Sequence, residues 1–352
     1  MKRIGIFGWG VVAPKSPNIE IFEKNLSRST TWLERLEGFG PSNFLVGRPE
    51  FDFSVYKAWL DDRFGPRKYS QLDEKMGNMV KYAIGAFIQS LEQNPGIEKE
   101  LQELETRAHV YVGTGLGDFP LQYDRVLIYY KAQRRWNRFW CGERFNRELR
   151  EYRKSSFSDR ERLRIQLNAP PDPQEMDPQD AAYEDVCNAW YAFWVERSDG
   201  LKQYLEELKV IESERLTGDI DTGKMHLIRR KTGARKKLNA KYGCPVEPWN
   251  AVDPKLLWNI PNIPAAQISM IGKITGPTFA PVAACSGFGT ALKMAVNAIQ
   301  LGQAKAAVVG TTDPEPHPLS VGTFFGARVL SHDGQVSKPF SGLRGTHISG
   351  GA

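Results

Sequence analysis

The sequence has 352 residues, 41% hydrophobic and 25% charged, enough for one large layered domain or two of ordinary size, and it excludes wholesale disorder or a fibrous repeat. With 47 Lys and Arg against 41 Asp and Glu the net charge is +6, a mild excess that suits an acidic partner without arguing for nucleic acid. No apolar run of the ~18 residues a spanning helix needs occurs, and Cys141, Cys187, Cys244 and Cys285 lie far apart with no CxxC pair, which argues against disulfides or a zinc knuckle and for a reducing cytoplasm.

In chain order, the opening Ile4 to Phe7 reads as a short first strand ending at Gly8-Trp9-Gly10, and not as a signal peptide. Residues 74–92 carry Met76, Met79, Val80, Ala83, Ile84, Phe87, Ile88 and Leu91, a spacing of three and four that predicts a helix with one buried stripe. His109 to Val112 predicts a strand, followed by the Gly-rich turn Gly113-Thr114-Gly115-Leu116-Gly117. Strand, helix, strand is an α/β rhythm.

Residues 125–258 break it. From 125 to 165 there are thirteen basic residues and five acidic ones; from 170 to 200 there are eight acids and one Arg. Six of the nine Trp fall between 136 and 258. This predicts a mostly helical insertion whose basic and acidic arms pair with each other. Residues 259–352 return to α/β texture. Thr278 to Ala283 reads as a strand leading to Cys285, and 287–301 as a helix apolar almost all round, buried on most sides. Ala306 to Gly310 is the next strand.

The strongest chemical signal is Gly276 to Ala291: a strand, a tight turn with Cys285, and a buried helix. A thiol at a helix N-terminus feels the positive end of the dipole, which favours the nucleophilic thiolate. Small neighbours (Ala283, Ala284, Ser286, Gly287) leave room for a substrate carbonyl, and backbone N–H groups of the first turn can hold an oxyanion. On spacing alone a small buried cysteine filling a helix–sheet junction fits equally well. Other signals are weaker. Gly113-Thr114-Gly115-Leu116-Gly117-Asp118 lacks the GxGxxG spacing of a dinucleotide loop, and no P-loop motif occurs. The mixture Arg134-Arg135-Trp136 and Arg138-Phe139-Trp140 suits an amphipathic helix better than an RNA surface. His317, between two prolines, reads as a loop residue and not a metal ligand, and His332-Asp333-Gly334 as a turn.

The Cys285 segment resembles the nucleophile motif of the β-ketoacyl synthases, the thiolase-like condensing enzymes of fatty acid and polyketide assembly. The opening Ile4 to Pro14, the stretch Val112 to Gly117, Leu301 to Gly310, Pro318 to Ser331 and Lys338-Pro339-Phe340 resemble further family elements. The resemblance implies a thiolase-like layered α/β/α fold with a mainly parallel mixed sheet. It covers an N-terminal synthase domain over 1–124 and 259–352, with a helical insertion at 125–258. It implies that Cys285 is the catalytic nucleophile, accepting an acyl group from an acyl carrier protein or acyl-CoA before decarboxylative condensation with a malonyl-type thioester. No metal, cofactor-binding residue, nucleic acid or membrane span is expected; a homodimer in the cytoplasm is.

The sequence departs from the family pattern at Asp313, where Glu is usual, at Ser341, where Asp is usual, and at Gly350, where a Glu is usual. None of His109, His226, His317, His332 and His347 stands in a motif matching the family's two catalytic histidines. These are expected in a C-terminal half or a partner chain, leaving this chain alone without full condensing activity. The alternatives are a catalytically reduced partner subunit of the chain-length-factor kind and an interaction scaffold working through the insertion.

Overall fold

The computed structural model describes residues 3–28, 31–40, 44–215, 220–331 and 345–352. His332 to Gly334, Lys338 to Phe340 and Ser341 therefore lie outside the described residues.

In chain order the helices are α1 (Ile19–Leu26), α2 (Lys57–Phe64), α3 (Lys68–Lys75), α4 (Asn78–Glu92), α5 (Ile97–Glu103), α6 (Phe119–Trp140), α7 (Arg147–Lys154), α8 (Phe157–Leu167), α9 (Tyr183–Val195), α10 (Asp199–Ser213), α11 (Ile220–Tyr242), α12 (Pro248–Ala251), α13 (Ile263–Ile271), α14 (Gly287–Gln300) and α15 (Pro318–Gly326). The strands are β1 (Glu34–Arg35), β2 (Leu45–Gly47), β3 (Ala108–Gly113), β4 (Thr278–Phe279), β5 (Ala306–Thr311) and β6 (Ile348–Ser349). The chain forms two compact units, 1–124 with 254–352, and 125–253.

The first unit is a layered α/β structure. Its larger sheet has order β4-β3-β5, all parallel; the smaller, β1-β2-β6, pairs β1 antiparallel and β6 parallel to β2. Strand β3 is buried along its whole length. Alternate side chains leave a strand on opposite faces, so Ala108, Val110 and Val112 join the main core with α4 and α13. Tyr111 instead packs against Ala291, Ala295 and Ala298 of α14. One strand thus supports helices on both faces.

Three sequence expectations change. Ile4 to Phe7 forms no strand; the chain just beyond it is held by side chains, Gln93 at the end of α4 and Gln89 within it accepting the Trp9 and Val11 N–H groups at 3.0 and 3.2 Å. The helix expected over 74–92 divides between α3 and α4, because Asn259 accepts the Gly77 N–H and donates to Lys75 O at 3.0 Å, tying the two helix ends together. Helix α14 is less buried than its composition suggests: Gly287, Ala291, Ala295 and Ala298 are covered, while Phe288 and Leu292 are 51% and 44% exposed. Its small residues are the ones fully covered at the sheet, with Met294 and Ile299 half-buried beside them.

The second unit is helical. Trp136, Trp140, Tyr204 and Tyr242 form one aromatic core, and Trp190, Trp194 and Tyr152 another. Trp136 and Trp140 are buried, so they are not available to stack on nucleic-acid bases. Opposite charges pair within the unit: Arg134 with Glu184, Arg160 with Glu175, and Arg153 with the fully buried Asp172. Among the described residues no helix is long and apolar enough to cross a membrane.

Candidate active site

Cys285 stands on a single 3-10 turn, Ala284–Ser286, that leads directly into α14. The thiol-bearing residue is exposed, whereas Cys141 and Cys187 are buried and Cys244 half-buried. Burial pushes the thiols of Cys141 and Cys244 up to about 11, with Glu247 adding to the effect at Cys244. Those two are poor nucleophiles near neutrality.

The turn is built with local strain. Ala284, immediately before the cysteine, has φ +46°, a left-handed conformation that costs a residue with a Cβ about 1–2 kcal/mol. The Ser286 N–H and hydroxyl both donate to Ala283 O, at 3.1 and 2.7 Å, and the Gly287 N–H donates to Ala284 O. These bonds fix the turn in spite of Ala284.

Three segments meet at the carboxyl end of the larger sheet. The Thr114 N–H donates to Pro281 O at 3.2 Å and Thr114 bridges to Val282, which ties the approach to Cys285 to the end of β3. This contact requires glycine at 113, where an added Cβ would lie 2.2 Å from Pro281 O. From the other side, Thr311 at the end of β5 approaches α14: a Cβ on Gly287 would sit 3.3 Å from Thr311 Oγ1. Asp313 then closes the arrangement. Its Oδ1 accepts from the Thr114 hydroxyl at 2.9 Å and the Gly115 N–H at 2.8 Å, and Thr114 Oγ1 accepts the Gly117 N–H at 2.9 Å. Burial pushes the Asp313 carboxyl above the usual range, opposed by those donors. The Gly-rich loop is therefore a braced structural turn beside the Cys285 turn.

His109, His317 and His347 make other contacts. His109 is buried, with Nδ1 2.8 Å from the Tyr111 hydroxyl. His317 is not a simple loop residue: it caps α15, its Nδ1 accepting the Leu319 N–H at 3.1 Å, with its ring against Tyr123. His347 Nδ1 lies 3.2 Å from Leu45 O, and His226 is exposed on α11. Among the described residues no cluster of His, Cys, Asp and Glu could hold a metal ion. Sequence reasoning missed the brace of Thr114 and Asp313 and the strain at Ala284; neither long-range pairing nor a left-handed alanine leaves a local pattern.

A parallel sheet with helices on both faces, and a cysteine turn at its carboxyl edge opening a buried-faced helix, is a thiolase-like architecture. Residues 228–352 match the model of the β-ketoacyl synthase N-terminal domain. The fold is similar to that of a β-ketoacyl synthase from Burkholderia phymatum STM815, with a TM-score of 0.51 and 13% identity over 100% of this chain and 57% of that one. The AntDE:AntF assembly, a type II PKS acyl-carrier protein in complex with its ketosynthase bound to the hexaketide, aligns with a TM-score of 0.40 and 13% identity, over 98% of this chain and 55% of that one. The chain thus spans little more than half the length of these structures. No curated protein matches the sequence.

Proposed function

We propose that the chain is the nucleophile-bearing part of a β-ketoacyl synthase-type acyltransferase, with Cys285 as the acyl acceptor. The observation that carries this reading is the placement of one exposed cysteine, on a strained turn at the start of α14, inside the matched segment. In the proposed reaction the Cys285 thiolate attacks an acyl thioester, the carrier thiol leaves, and the acyl group is held on sulfur. The N–H of Cys285 supplies one oxyanion donor. A malonyl-type thioester then loses carbon dioxide and its enolate attacks the acyl-enzyme, releasing a 3-ketoacyl thioester and the free thiolate.

The carrier, by the family resemblance, is an acyl carrier protein or CoA. The histidine donors that stabilise the enolate are supplied by a further segment or a partner chain, since no histidine of this chain stands in the family's motif and His109, His317 and His347 serve other contacts. The 125–253 unit is taken as an insertion into the synthase domain. A second copy of the chain is the proposed cover for edge strand β5 and the exposed apolar side of α14.

The test is acylation. The protein is incubated with an acyl-CoA and mapped by mass spectrometry, alongside Cys285→Ala. One acyl adduct on Cys285, absent from the variant, is expected, with iodoacetamide alkylation of Cys285 faster than that of free cysteine. Alkylation no faster than free cysteine, with no acyl adduct, would mark Cys285 as merely an exposed thiol and remove the proposal.

A further inference from the structure

The helical unit contains a cleft of about 390 Å³ between the start of α7, the start of α10 and the end of α11. That volume is in the range of small-molecule sites. Three cations line it, Arg144, Arg150 and Lys241, against one carboxylate, Asp199.

These charges are not equivalent. Lys241 is already neutralised, its Nζ donating to both oxygens of Glu207 at 2.6 Å. Tyr242 is fixed by the same group, donating to Glu207 Oε1 at 2.7 Å. Asp199 accepts the Arg147 N–H at the first turn of α7 at 3.2 Å and keeps its negative charge. Arg144 and Arg150, both exposed, have no carboxylate partner among the described residues; the Arg144 guanidinium lies over the Phe145 ring, 5.0 Å from its centre. Two exposed arginines thus line the cleft beside the single Asp199 carboxylate.

The floor is rigid. Phe145 O accepts from the Gly200 N–H at 2.9 Å and the Ser198 hydroxyl at 3.1 Å. Asn146 caps α7 through the Leu149 N–H and donates to Trp194 O at 2.7 Å. Gly200 lies so close to Phe145 that an added Cβ would be 2.7 Å from its Cδ1. Phe145 is therefore held in place beneath Arg144, and Tyr242 is held by Glu207.

From this geometry we infer that the cleft binds a small phosphate monoester, its dianionic head between Arg144 and Arg150 and its organic body on Phe145 and Tyr242. Two planar guanidinium forks suit the three oxygens of a phosphoryl group, and their charge, offset in part by Asp199, favours the dianion present above the second phosphate pKa near 6. The site lies wholly within the helical unit, so its fate is separate from that of Cys285.

The probe is phenyl phosphate, titrated into the full chain by calorimetry at ionic strength held constant with sodium chloride, with inorganic phosphate in parallel. Saturable one-to-one binding is expected, tighter for phenyl phosphate, and falling as pH drops below about 6. The double variant Arg144→Gln with Arg150→Gln should weaken it at least tenfold. Lys236→Gln with Lys237→Gln removes the same charge from exposed positions on α11 and should leave it unchanged. Circular dichroism confirms that both variants fold. No saturable binding, or equal weakening by both doubles, would overturn the assignment and leave only diffuse attraction to a basic surface.

Discussion

At the scale of single residues, two buried groups near the sheet's carboxyl end make separable predictions. Asp118 is 3% exposed, and burial, reinforced by Asp124 and Glu315, pushes its carboxyl from 3.8 up to about 6. Between those values the folded chain holds a proton that the unfolded chain has released. The stability from this group is fully present below pH 3.8 and is lost as pH rises through 6, in all about 3 kcal/mol. Asp118→Asn retains an acceptor for the Leu121 N–H. Urea unfolding at pH 4.5 and 7 should show the variant more stable than the parent at pH 7, with a flatter pH dependence; an unchanged slope would refute the buried-acid account. Gly113→Ala acts through sterics. Its Cβ meets backbone at Pro281, so a cost of about 2 kcal/mol or more is expected. Because this contact seats the strand before Cys285, alkylation of Cys285 should lose its selectivity over that of free cysteine at temperatures well below melting.

At the scale of elements, α14 has two faces with opposite demands. Ala291 and Ala295 are 0% and 2% exposed against the sheet, where Leu at either position overpacks the interface, at about 1–3 kcal/mol. Leu292 is 44% exposed, and Leu292→Gln should leave thermal stability of the isolated chain nearly unchanged while weakening self-association measured by sedimentation. A loss of folding in Leu292→Gln would show that this face is packed within one chain. The helix illustrates what a sequence can and cannot disclose. Its limits, and those of β3 and β5, follow from local apolar runs ended by Gly302 or Gly113, and the expected residue ranges differ from those found by one or two positions. Which side of α14 is covered depends on Tyr111 and Ala304, which no local period encodes. The break at Gly77 comes from Asn259, 182 residues away. At the candidate site, the cysteine and its small neighbours stand in one readable segment, but Asp313 reaches Thr114 across 199 positions.

At the scale of the molecule, the hydrophobic cores divide as the chain does. One set of clusters draws only on residues of 1–124 and 254–352, the other only on 125–253. The charge blocks of the sequence indicate that arms pair, but not that one pair sits in the interior. Asp172 has a fully buried side chain, bonded by both terminal nitrogens of Arg153, which lies over Trp190 at 5.2 Å. Removing one partner of such a pair strands a buried charge, at a cost of about 3–5 kcal/mol. Arg153→Met keeps the stem against Trp190 and removes the cation. With separate cores, that loss should fall on the helical unit alone, lowering its transition by on the order of 10 °C. The buried tryptophans of that unit, Trp136, Trp140, Trp190 and Trp194, make fluorescence its reporter, while calorimetry reads the whole chain. The expected result is a fluorescence transition that moves while a second calorimetric transition stays in place. A single transition displaced in both signals would mean that the two units unfold together and that the division of the cores does not extend to cooperativity.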